Sequence, residues 1–84
     1  RLNRPSAMAW HPVLSQWYIM SANDRMLVTA DADFKVTGAW PMPARLFPQP
    51  EGIAISPSGD LFISNEGSES TATLLKYTYQ PIPK

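Results

Sequence analysis

The chain has 84 residues, of which 44% are hydrophobic and 17% charged, and its seven basic and seven acidic side chains cancel. That length allows one small domain, and a domain this small buries only about 60% of the surface its unfolded chain exposes. The neutral balance argues against a nucleic-acid binder with a basic face and against a polybasic membrane patch. The absence of cysteine excludes disulfides, thiolate zinc sites and a cysteine nucleophile, and no apolar run approaches the ~20 residues of a membrane-spanning helix.

Prolines at 5, 12, 41, 43, 48, 50, 57, 81 and 83 punctuate the chain. Each would cost about 3 kcal/mol inside a helix. The longest proline-free stretch, Val13 to Trp40, is filled with β-branched, aromatic and turn residues. Short apolar runs predict strands at 6–10, 16–21, 25–31, 35–40, 52–55, 60–65 and 73–79. Between them, His11-Pro-Val-Leu-Ser15, Asp31-Ala-Asp33 and Ser56-Pro-Ser-Gly59 read as tight turns; in the last, Pro57 presets φ and Gly59 supplies a positive φ. The chain is therefore expected to be all-β.

The runs repeat. Pro5-Ser-Ala-Met-Ala-Trp-His-Pro12 lies over Pro50-Glu-Gly-Ile-Ala-Ile-Ser-Pro57 at an offset of 45, and Trp17-Tyr-Ile-Met-Ser21 over Leu61-Phe-Ile-Ser-Asn65 at 44. After an insert of four residues around Gly67 to Ala72, Met26-Leu27 matches Leu74-Leu75 at 48. A period near 45 with about four strands per unit is the pattern of β-propeller blades; a sandwich is the alternative. Residues 1–44 are expected to form a four-stranded blade. Residues 45–84 are expected to form a second blade of three strands, its outermost strand missing because the chain runs into Pro81-Ile-Pro83. The missing strand favours two consecutive blades of a longer, six-bladed propeller, so the expected partners are the remaining blades. Three copies closing a ring as a homotrimer is the other account.

Gln49-Pro-Glu-Gly-Ile-Ala54, followed by Pro57-Ser-Gly-Asp-Leu-Phe-Ile-Ser-Asn-Glu66, resembles the SdiA-regulated (YjiK-like) family of bacterial β-propellers. Pro5 to Pro12, Trp17 to Ser21, Asp31-Ala-Asp33 and the closing Leu74-Leu-Lys-Tyr77 fit the same family. Gly-Ile-Ala followed by Pro-x-Gly-x-Leu is shared with NHL-repeat and calcium-binding propellers. The resemblance implies a secreted, periplasmic or membrane-tethered protein, a link with calcium, and kinship with esterase-like phytases.

Glu51 is expected just before the first strand of the second blade, with Asn65 and Glu66 just after its second strand. Antiparallel pairing then brings the three side chains to one rim near the axis. Hard cations such as Ca²⁺ take 6–8 oxygen ligands, and this trio supplies two or three. The matching residues of the first blade, Ser6, Ser21 and Ala22, are neutral, so the blade scaffold does not require the acids. Asn23 and Asp24 stand close by. The competing reading makes the trio ordinary turn residues, with Gly67 supplying a positive φ. His11, the only histidine, is expected on the surface in the turn at the opposite rim, and the strand aromatics are expected to pack between blades.

The leading functional expectation is a binding or structural propeller module, calcium-associated at its axial rim. One alternative is a metal-dependent hydrolase in which Glu51 and Glu66 hold a metal that polarises a phosphoryl or acyl oxygen, with Arg45 within reach. Another is a protein-interaction scaffold using the Gly67–Ala72 insert.

Overall fold

In a computed structural model of the protein, which describes residues 5–67 and 72–80, seven strands form two antiparallel sheets. Strands β1 (Ala7–His11), β2 (Gln16–Ser21), β3 (Met26–Ala30) and β4 (Val36–Pro41) pair in chain order as the first sheet. Strands β5 (Pro50–Ile55), β6 (Leu61–Asn65) and β7 (Thr73–Tyr77) form the second. No helix occurs among the described residues. The seven strands stand where the alternation of apolar runs and turn residues predicts them. Pro81 to Pro83, with Arg1 to Arg4 and Ser68 to Thr71, lie outside the described residues.

The turns follow from their side chains. In the β3–β4 turn, Asp31 Oδ1 accepts the amides of Asp33 and Lys35, both at 2.9 Å, while its carbonyl accepts the Phe34 amide. Phe34 then takes a φ of 64°, and Ser15 and Arg25 close the two preceding hairpins at 55° and 51°. In the β5–β6 turn, Gly59 has a φ of 96° and its amide reaches the Ser56 carbonyl, as the Pro-Ser-Gly sequence predicts. Gly59 is the one glycine recorded with a positive φ among the described residues.

Strand alternation gives each sheet an inner face toward the other and an open face. On β1, Ala7, Ala9 and His11 point inward while Met8 and Trp10 point out. The core consists of Met20, Met42, Phe47 and Ile63, packed by Leu27, Ile53, Leu61 and Leu75 among others. Met42 and Phe47 come from the connection between β4 and β5, which is pinned by the Met42 amide on the Arg25 carbonyl and by the Phe47 amide on the Pro43 carbonyl. Both Met20 and Met42 are almost wholly buried in this core.

The sheets approach unevenly. First strands β1 and β5 run close together, and no other strand of one sheet runs so close to a strand of the other among the described residues. Away from that seam the sheets leave a groove of about 370 Å³, bounded by Leu27, Trp40, Phe47, Leu61 and Tyr77.

Strand register corrects the repeat alignment. Trp17 pairs with Ala30 and Leu61 with Tyr77, Met20 with Leu27 and Ser64 with Leu74. The third strands therefore correspond at an offset of 47, with Leu27 matching Leu74, and the second unit carries three extra residues rather than four. With that register, the open face of the second sheet (Gly52, Ala54, Phe62, Leu74) corresponds to the inner face of the first (Ala7, Ala9, Tyr18, Leu27). The open face of the first sheet (Met8, Trp10, Ile19, Val28) corresponds to the inner face of the second (Ile53, Ile55, Ile63, Leu75).

Candidate functional site

Pairing of β5 with β6 steps from Pro50–Asn65 to Gly52–Ser64, which leaves Glu51 as the extra residue of a β-bulge. Glu51 is thus inside β5 rather than before it. Gly52 allows the strands to close beside it, since a Cβ there would meet Ser64 Oγ at 2.8 Å. Beyond β6, the Glu66 amide donates to the Gln49 carbonyl at 2.9 Å and carries the pairing one step past the strand.

The bulge brings Glu51 and Glu66 together. A hydrogen bond with the Glu66 carboxyl, followed by the charge of Glu66, raises the pKa of Glu51 above its ordinary 4.5. Glu51 and Glu66 border a depression of about 350 Å³ that Asn23, Gln49, Pro48 and Arg25 also line. The cation here is Arg25, not the expected Arg45, and its guanidinium is engaged by the carbonyls of Phe47 and, at 3.0 Å, Pro48.

Asn65 does not join the pair. As the last residue of β6 it shares the inward face of Ile63, is 2% exposed, and neither amide atom has a hydrogen-bond partner among the described residues. Alternation from Ile63 was the signal for this, because side chains two apart on a strand share a face. In the first sheet, the equivalents Ser6 and Ala22 close the same rim with a neutral hydrogen bond, Ala22 N–H to Ser6 Oγ at 2.9 Å. Ser21, the equivalent of Asn65, donates to Asp24 Oδ2 at 2.9 Å.

For Ca²⁺ the donors around the depression are right in kind, namely two carboxylates with nearby amide oxygens, and short in number. No group of three or more His, Cys, Asp and Glu side chains positioned for a metal occurs among the described residues.

His11 departs most from expectation. It is not a surface turn residue: it ends β1, is 2% exposed, and its Nδ1 accepts the Leu14 amide at 3.0 Å. Its ring stacks on Tyr18 and meets Tyr79 edge-on, both at 5.4 Å between centroids. Burial first, and the charge of Tyr79 second, raise the pKa of the Tyr18 phenol. Sequence reasoning placed His11 in a turn because Pro12 follows it; its two-residue spacing from Ala7 and Ala9 was the signal for an inward position.

Trp10 meets Trp17 edge-on at 5.2 Å, and Trp17 stacks on Phe34 at 5.6 Å, on the open face of the first sheet. The insert proposed as a binding loop, Gly67 to Ala72, lies mostly outside the described residues, since Ser68 to Thr71 are not described. Among the described residues no helix is long and apolar enough to cross a membrane.

In comparisons with known proteins, no family model matches the chain, and no curated protein is significantly similar to it in sequence.

Proposed function

We propose that the chain forms two consecutive blades of a β-propeller of the SdiA-regulated type and serves as a binding and structural module. The observation that carries this reading is the seam between β1 and β5: each sheet is a simple meander, and the two meet at their first strands while a groove opens between them farther out. Blades radiating from a hub have this relation, whereas the layers of a sandwich stay about 10 Å apart across their strands. The repeat supports the same reading, because its two copies coincide with the two sheets.

The rim beside β5 gives the module its chemistry. Glu51 and Glu66, with the amide oxygens of Asn23 and Gln49 around them, suit a partly hydrated hard cation of the Ca²⁺ kind, the rest of its shell coming from water or from neighbouring blades. Asn65 is not among these ligands. A crystal structure of the chain tests the architecture: first strands side by side at a common hub, with outer strands fanned apart, support it. Two layers evenly spaced across all strands contradict it.

A further inference from the structure

Both open faces are mainly apolar, with Ser64 and Lys76 the polar residues on the second, and each is the repeat counterpart of a face already used inside the molecule. Met8 is 42% exposed, Val36 69% and, on the second sheet, Leu74 66%. Beside Val36 the first sheet carries an apolar groove of about 460 Å³, floored by Ile19, Val28 and Ala39. Apolar surface of this extent on a small chain marks a contact surface.

What fits the groove can be read from the register. Ile19 and Val28 on this open face correspond to Ile63 and Leu75, which pack against Met20 and Leu27 of the first sheet. Phe62 and Leu74 on the other open face correspond to Tyr18 and Leu27, which belong to the first sheet's inner face. One molecule therefore carries, uncovered and on opposite sides, both halves of the interface that already joins its two sheets. We infer that a second copy of this chain docks there head to tail, the open face of its second sheet on the open face of the first sheet, by the same operation that relates the two sheets within one copy. Such a contact is heterologous, so it repeats from copy to copy, giving a ring where the rotation closes and a filament where it does not. This inference rests on the blade reading and adds that a second copy presents the face that a neighbouring blade would present.

Face-specific variants test it, with mass measured by light scattering on a sizing column. The wild-type chain is expected at a whole multiple of the single-chain mass. Met8→Lys, which spoils only the first sheet's open face, and Leu74→Lys, which spoils only the second's, each fall to the single-chain mass. Mixed in equal amounts, they form a one-to-one heterodimer and nothing larger, because one intact interface remains between them. Val36→Lys replaces Met8→Lys if the latter loses its β-sheet circular dichroism. A monomeric wild type overturns the inference. So does an assembling wild type whose two variants do not complement each other. Nitroxide distances between β1 and β5 in the Leu74→Lys monomer separate the two readings: a wedge kept in a chain that never self-associates removes docking and leaves the blades, whereas loss of the wedge removes both.

Discussion

Gly59 and His11 occupy adjoining space where the two sheets meet: a Cβ placed on Gly59 would stand 2.9 Å from His11 Cε1. The turn of one sheet and the last residue of the first strand of the other are thereby fitted to each other. Gly59→Ala meets two penalties, a positive φ of 96° and the histidine ring. It is expected to destabilise the chain by about 1–3 kcal/mol, seen as a lower urea midpoint. An unchanged midpoint contradicts this fit.

His11 itself joins the sheets through its ring and caps its own turn through Nδ1. His11→Ala removes the packing between Tyr18 and Tyr79 and orphans the Leu14 amide, an expected loss of about 2–4 kcal/mol. In His11→Asn a side-chain oxygen can still accept that amide, as Asx turns do. It should therefore lose measurably less than alanine in the same denaturation experiment. Equal losses would assign the whole effect to the ring.

The Glu51–Glu66 pair predicts a pH dependence. Because the Glu51 pKa is raised in the folded chain, the folded state holds more protons than the unfolded one between the ordinary value of 4.5 and the raised value. Stability contributed by the shared proton is complete below 4.5 and falls as pH rises through that window. Glu51→Gln flattens this part of the profile. The proposed calcium site runs the other way, since it requires both carboxylates ionised: the expected rise in melting temperature with Ca²⁺ grows with pH over the same window and disappears in Glu51→Gln. A calcium effect that survives Glu51→Gln would place the ion elsewhere.

Asn65 carries an amide buried without partners among the described residues, next to the core residue Ile63. An unmatched buried polar group costs about 1–3 kcal/mol. Asn65→Leu, similar in size and without that amide, is expected to raise stability by about 1–2 kcal/mol in thermal unfolding of the chain. Destabilisation would show that the amide is bonded in the folded chain.

Strand positions were legible because apolar runs of strand length alternate with residues that build particular turns; Asp31 and Gly59 do in the structure what their types predict. The proximity of Glu51 and Glu66 was legible from antiparallel pairing alone. What escaped reading depended on register and facing. Met26-Leu27 looks like Leu74-Leu75, yet the hydrogen-bonded ladder aligns Leu27 with Leu74, and one residue of slip exchanges the two faces of a strand. Asn65 and His11 were misplaced for the same reason: each stands at a strand end beside turn residues, and facing, not residue type, decides that both are buried.

The relation between the two sheets is tested most directly by distances in solution. The chain has no cysteine, so introduced cysteines label uniquely. Nitroxides at Met8 and Ala54 report the separation of β1 and β5, and nitroxides at Thr37 and Lys76 report that of β4 and β7, in labelled chain diluted with unlabelled chain. A shorter separation for the first pair, with the outer pair clearly farther apart, is the predicted result. Equal separations for the two pairs would mean parallel layers and would contradict the proposed arrangement of the sheets as blades around a hub.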